Sequence, residues 1–258
     1  MTTNETAFAN AVARLRSACR VVVFTGAGVS AESGIPTFRD RQSGFWAKFD
    51  PAQLATPGAF RSDPALVWGW YEWRRAQMAQ ACPNAAHVAI ATLSRHVPEL
   101  VLVTQNVDDL HERAGSKEVV HLHGSLHIAR CFACMRPHVL AKCPLPQTSS
   151  GRLEPPRCCH CNGRIRPGVV WFGEALPESE WRSASNAAGN ADLLLSIGTS
   201  GVVYPAARIP EIAREHGAHV VHINTEVADS TDATSLTGRA GEWLPRLLRA
   251  AFGADTER

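Results

Sequence analysis

Four consecutive apolar residues, Val21-Val22-Val23-Phe24, run almost straight into Gly26-Ala27-Gly28, and few architectures accommodate that junction. A strand that is apolar at every position, not every second one, has to be covered on both faces, as in a parallel sheet. The glycines end the strand and permit a tight turn into a helix. Residues 7–18 carry helical periodicity ahead of it. Further strand-like runs follow at 100–104, 119–122, 169–172, 193–197 and 219–223, several of them separated by helix-like stretches at 86–96, 177–190 and 205–215. That alternation predicts an α/β fold: a doubly wound, mostly parallel, Rossmann-like sheet.

Two stretches break the rhythm. Residues 41–80 are rich in Trp and Phe, and residues 126–166 are rich in Cys and Pro. They are expected as insertions, a helical module and a small zinc-binding ribbon, leaving 1–40, 81–125 and 167–258 to the main domain.

The two C-x-x-C pairs, Cys131/Cys134 and Cys158/Cys161, are separated by the 23 residues 135–157. Ribbon-like spacing of this kind lets four thiolates converge tetrahedrally on zinc. With every position filled by sulfur, none remains for water, so one structural zinc per chain is expected, contributing to folding and not to chemistry. Cys159 and His160 leave the ligand set open, since either is able to replace a neighbour. Thiolate metal sites belong to reducing compartments, hence a cytoplasmic expectation.

With 45% hydrophobic and 19% charged residues in 258, the chain is able to bury a substantial core. Lys and Arg number 26 against 24 Asp and Glu, a net charge of +2, and the basic residues are scattered. That argues against nucleic acid as a specific partner. No run approaches the ~20 apolar residues of a bilayer span, and Glu5, Arg14 and Arg16 do not suit a signal peptide, so neither is expected.

Gly26-Ala27-Gly28-Val29-Ser30-Ala31 fits G-x-G-x-x-G/A after a strand, where glycines let the backbone approach a pyrophosphate. A ligand-free tight turn is the plain alternative. The acidic ribose ligand of hydride-transferring enzymes, expected about 20 residues on, is missing, and the next strand waits until Leu100.

Extended, the turn reads Gly26-Ala27-Gly28-Val29-Ser30-Ala31-Glu32-Ser33-Gly34-Ile35-Pro36-Thr37-Phe38-Arg39. Thr104-Gln105-Asn106-Val107-Asp108 and His121-Leu122-His123-Gly124-Ser125 follow. After the cysteine pairs come Val169-Val170-Trp171-Phe172-Gly173-Glu174, Gly198-Thr199-Ser200 and Ile223-Asn224. In order and spacing this series resembles the sirtuin family over essentially the whole chain. The resemblance implies an NAD-dependent protein-lysine deacylase that consumes NAD and releases nicotinamide and O-acyl-ADP-ribose. It implies that Gly26, Ala27, Gly28, Phe38, Arg39, Gln105, Asn106 and Asp108 surround the nicotinamide ribose and phosphates. Gly198, Thr199, Ser200, Asn224 and the Ala240 backbone would hold the adenosine half.

Such chemistry needs a base that accepts a proton near neutrality, and histidine suits it. His123 is expected in that role, with Asn106 and Asp108 orienting ribose, water and nicotinamide. His121 shares its strand parity and competes on residue type alone; it and His127 are expected to be structural. By the same resemblance Val170, Trp171 and Phe172 border the acyl-lysine tunnel, where an extended peptide is held through its main chain. As residues alone they read equally well as a core strand. Tyr71 and Arg74 stand at i, i+3 on one helix face, and a phenol beside a guanidinium suits a carboxylate. Read alone, they are a core aromatic and a solvated cation. The pair looks like the one marking the sirtuin branch that acts on succinyl- and malonyl-lysine, with weaker deacetylase activity, and a small Ala47 would widen its pocket. Competing readings are an ADP-ribosyltransferase and a non-catalytic NAD-responsive binding module. The expected macromolecular partners are acylated proteins.

Overall fold

The computed structural model describes residues 4–37, 47–140, 151–226 and 234–253. Phe38 and Arg39 lie outside these. The chain opens with helix α1 (Asn4–Ser17) and strand β1 (Arg20–Thr25), then α2 (Ala27–Ala31). The helices α3 (Pro51–Leu54), α4 (Pro57–Ser62), α5 (Pro64–Gln80) and α6 (Ala85–Leu93) precede β2 (Glu99–Thr104). Next come α7 (Leu110–Arg113), β3 (Val120–His121), β4 (Gly124–Cys131), β5 (Pro137–His138) and β6 (Ile165–Val169). The remainder is α8 (Glu178–Asn190), β7 (Leu193–Ile197), α9 (Ile209–Glu215), β8 (His219–Asn224), β9 (Thr234–Thr237) and α10 (Ala240–Phe252).

Six strands form one parallel sheet in the order β3-β2-β1-β7-β8-β9, with β1 held between β2 and β7. The unbroken apolar run of β1 is explained by its two faces. Val21 and Val23 join a core built with α1, α6 and α10, whereas Val22 and Phe24 join a second core built with α8 and α9. Helices therefore cover both sides, and the winding direction reverses at β1 and β7.

The small sheet, order β5-β4-β6, is antiparallel. The expected strand at 169–172 is corrected here: the strand is β6, it ends at Val169, and it belongs to the small sheet. Gly124 opens β4 at φ +72°, and a Cβ there would stand 2.1 Å from the Gly168 carbonyl oxygen, so only glycine fits. The small sheet thus runs from Gly124 to Val169, slightly wider than the cysteine-rich stretch that signalled it. The helices between residues 50 and 80 begin with side-chain caps at Asp50, Thr56 and Asp63, each followed by proline at the first helical position. Phe60, Trp70, Tyr71 and Trp171 form a third core beneath them. Among the described residues no helix is long and apolar enough to cross a membrane.

Candidate functional site

The ends of the parallel strands converge where the sheet order reverses. Gly26 and Gly28 follow β1, and Gly198 and Thr199 follow β7; the two turns touch. Gly28 N donates to Gly198 O at 2.8 Å and Gly26 N to Ile197 O at 3.0 Å. A Cβ on Gly28 would lie 2.8 Å from Gly198 Cα, and one on Gly26 2.8 Å from Gly198 O. Turn-to-turn contact alone therefore requires both glycines, a cause the motif reading did not include.

Gln105 reaches over the β1 turn and donates from Nε2 to Thr199 Oγ1 at 2.9 Å. Asn224, ending β8, donates to Thr199 O at 3.0 Å, so Thr199 ties three strand ends together. Ser200 is exposed beside it. Ala240 begins α10, where the next amide, Gly241 N, donates to Glu32 Oε1 at 3.0 Å. These amides, hydroxyls and backbone groups, with one carboxylate, form the mixed donor and acceptor set that a dinucleotide needs.

Behind this rim lies a polar chain that the sequence reading missed. Ser30 Oγ accepts from Asn106 Nδ2 at 3.1 Å and donates to Asp108 Oδ2 at 3.1 Å. His87 Nδ1 accepts from Asn84 N at 3.3 Å, which places its proton on Nε2, 3.4 Å from Ser30 Oγ. Ser30 thus receives two donors, and its one proton is committed to Asp108. Below, Thr25 donates to Thr104 at 2.8 Å and lies 3.0 Å from His111 Nε2, while Thr104 Oγ1 accepts from Asn106 N at 3.0 Å. The His87 and His111 rings are 4.8 Å apart. Burial pushes His87 down to about 4 and His111, beside the other imidazoles, to about 3. Burial also raises Asp108, against the bonds from Leu110 N and Ser30. The one signal available in sequence was Asn84-x-x-His87, a helix-capping pair that the structure shows closed.

His123 stands on the seam between the sheets. Leu122 N donates to Thr104 O of the large sheet at 2.9 Å, and His123 O accepts from Val170 N at 2.8 Å, just past β6. Its Nδ1 is 3.0 Å from Gln105 O, which fixes the proton there and leaves Nε2 as the acceptor. Burial lowers its pKa, against the bond to Gln105, favouring the neutral ring. His121 is held differently, between Asn106 O at 3.1 Å and Glu112 Oε1 at 2.7 Å. That carboxylate outweighs burial and raises its pKa, so it is a poorer base near neutrality. His127 is exposed and paired with Asp109 at 3.4 Å.

Arg74 lines an open cleft with Ile35, Trp70, Trp73 and Met78. Its guanidinium lies over the Trp70 ring, 5.2 Å from the centroid, and burial lowers its pKa despite nearby Tyr71 and Asp108. Tyr71 lies deeper, 2% exposed, and burial raises its phenol pKa. Ala47 is exposed on a turn and does not line this cleft. Trp171 points inward, 1% exposed, and packs against Tyr71 and Phe60. Phe172 is exposed and Val170 half-buried. The Trp171 amide donates to Glu174 Oε2 and the Phe172 amide to Ala55 O, both at 2.9 Å, and that of Val170 is used as above. The amides of residues 170–172 are therefore all engaged within the chain, and the Trp171 carbonyl accepts from Glu174 N at 3.0 Å.

The four cysteines Cys131, Cys134, Cys158 and Cys161 place their Sγ atoms within 4.8 Å of one another. Two of the separations are 3.5 and 3.7 Å, against about 3.8 Å for tetrahedral ligands at zinc–sulfur distance. The pairs sit on matching turns. Cys131 N donates to Arg136 O and Met135 N to Cys131 O; Cys158 N donates to Gly163 O and Asn162 N to Cys158 O. Met135 and Asn162 share left-handed φ of 61° and 57°. Cys159 is turned outward, and neither it nor His160 joins the cluster. The donor set fits a structural zinc.

Comparison with known proteins agrees with this arrangement. The model of the Sir2 family matches residues 26–205. The NAD-dependent protein deacylase 1 of Pseudomonas aeruginosa is 61% identical over 92% of this chain and 96% of its own. The NAD-dependent protein deacylase of Methylococcus capsulatus is 54% identical over 93% and 95%. Among solved structures, a Sir2 homologue–NAD complex superposes with a TM-score of 0.86 at 42% identity, covering 94% of this chain and 93% of that one. A Sir2–p53 peptide–NAD complex gives 0.78 at 32%, covering 92% and 95%. With two glycine turns packed together where the sheet order reverses, a four-thiolate ribbon and a family match over residues 26–205, this chain belongs to the Sir2 family.

Proposed function

We propose that this protein is an NAD-dependent protein-lysine deacylase that prefers acidic acyl groups, succinyl and malonyl, over acetyl. NAD-dependent protein deacylation follows from family membership and from relatives of that name at 61% and 54% identity. The acyl preference rests on one observation: Arg74 lines an otherwise largely apolar cleft that disfavours its charge. A guanidinium so placed gains most from an anionic ligand.

NAD, when bound, supplies an electrophilic ribose carbon with nicotinamide as leaving group. The chain does the rest. Gln105, Asn106, Asp108, Thr199, Ser200 and Asn224 would hold the dinucleotide across the reversal point, with the Gly26-Ala27-Gly28 turn, Gly198 and the Ala240 backbone at its edges. His123 Nε2 would take a proton from a ribose hydroxyl, its other nitrogen pinned by Gln105 O. Asn106 and Asp108 do not wander, because Ser30 holds both. The exposed Phe172 and half-buried Val170 would border the peptide. A metal site made of four thiolates is the reason to place the reaction in the cytoplasm.

The test is kcat/KM on succinyl- and acetyl-lysine peptides, with products read by mass spectrometry. A charge-assisted bond in a shielded pocket contributes about 1.5–3 kcal/mol, or roughly tenfold to a hundredfold in favour of succinyl. Arg74→Met should remove most succinyl activity and change acetyl activity only a few-fold. Equal losses on both substrates, or an acetyl preference in the native enzyme, would defeat the assignment. ADP-ribose left on the peptide would point instead to a transferase.

A further inference from the structure

Tyr71 has no direct share of the cleft surface, yet its oxygen is engaged: Trp171 Nε1 donates to Tyr71 Oη at 2.8 Å, fully buried, across 100 residues of sequence. The indole is itself fixed on every side. Arg166 stacks on its face with the guanidinium carbon 3.4 Å from the ring centroid. The same guanidinium grips Glu174 through two nitrogens at 2.5 and 2.8 Å and donates to Val169 O at 2.9 Å. Glu174 in turn accepts the Trp171 amide at 2.9 Å. Phe60 and Phe132 close the remaining sides, with centroids at 5.3 and 6.1 Å.

We infer that Trp171 determines acyl specificity as a positioning residue: its indole N–H occupies one lone pair of the Tyr71 oxygen and so turns the phenol proton outward, toward an acyl carboxylate held by Arg74. A phenol that accepts one hydrogen bond also becomes a stronger donor of the next. Because the indole is clamped by Arg166 and Glu174, the direction of that proton is set before any substrate arrives, and no ordering of the phenol is left for binding to accomplish. The inference rests on the acidic-acyl reading given above and names the group that supports it. It also ties that selectivity to the zinc-bearing sheet, since Arg166 lies in β6 and Phe132 follows Cys131.

The experiment compares the ratio of succinyl to acetyl kcat/KM in the native protein, Trp171→Phe, Tyr71→Phe, the double variant and Arg74→Met. Trp171→Phe keeps an aromatic ring and deletes the polar donor together with part of the indole's buried volume. It should lower the ratio at least fivefold, Tyr71→Phe should match it, and the double variant should fall no further than either single one, since both break one interaction. A ratio within twofold of native in Trp171→Phe, or losses that multiply in the double variant, would overturn the proposal. If Trp171→Phe proves too unstable to assay, an unchanged ratio in Tyr71→Phe still refutes the proposal. Selectivity lost in Arg74→Met but kept in Trp171→Phe would sink this inference and leave the acyl reading standing. Selectivity kept in Arg74→Met would remove both.

Discussion

Acidification from pH 7 to pH 5 should weaken the fold through two imidazoles. His87 and His111 are 0% and 1% exposed, and their pKa values fall to about 4 and about 3 against about 6.5 in an unfolded chain. A depressed folded pKa means stability that is present above pH 6.5 and lost as pH falls toward the folded value. At pH 5 the unfolded chain takes up a proton at each site that the native chain refuses, a cost of about 2 kcal/mol per imidazole. The pair together costs about 4 kcal/mol, a large part of the 5–15 kcal/mol typical of a domain. His121, raised by Glu112, works in the opposite direction, while His123, His219 and His222, all lowered by burial, add to the loss. The test is therefore a difference. His87→Gln cannot titrate, but its amide still offers a donor to Ser30 and an acceptor to Asn84. Urea unfolding at both pH values should show a loss smaller by about 2 kcal/mol in this variant than in the native protein. Equal losses in the two would mean that His87 does not titrate as its burial demands.

His123→Ala should leave a folded protein that binds NAD, seen by calorimetry, with turnover below a few per cent; higher residual turnover removes His123 as the base. The acid limb of native kcat/KM should fall below pH ~6.5, since burial lowers the ring's pKa. Elemental analysis should find one zinc per chain in protein purified without chelator, and less than half would overturn the site. Cys134→Ser should unfold the small sheet, because structural zinc contributes ~10–16 kcal/mol in comparable modules. The succinyl to acetyl ratio of any surviving protein should fall with it, through Phe132 and Trp171.

The parts of the fold that were legible in sequence are those whose burial shows along the chain. β1 and β7 are buried at nearly every residue and read as continuous apolar runs. β9, Thr234-Ser-Leu-Thr237, is short, polar at all but one position and at an edge, and it carries no such pattern. β6 misleads in the other direction. Ile165-Arg-Pro-Gly-Val169 looks unlike a strand because Arg166 finds its partner, Glu174, outside the strand, whereas in the apolar run after it only Trp171 is buried, and by packing and not by a ladder. The cysteine ribbon was legible because ligand spacing is local. The Ser30–His87–His111 chain and the Trp171–Tyr71 bond were not, since each joins residues that only the folded sheet brings together.

The strand order also sets a timetable for synthesis. β1 meets β2 through Thr25 and Thr104, 79 residues apart, but its other edge waits for β7, with Arg20 and Asp192 separated by 172 residues. At the ribosome's ~5–20 residues per second that interval is roughly 9–35 s, during which Val22 and Phe24 have no β7 beside them. The glycine turn cannot take its final shape in that time, because the surface that shapes it is the Gly198 turn. A dinucleotide site built across both turns is therefore incomplete until β7 has been made.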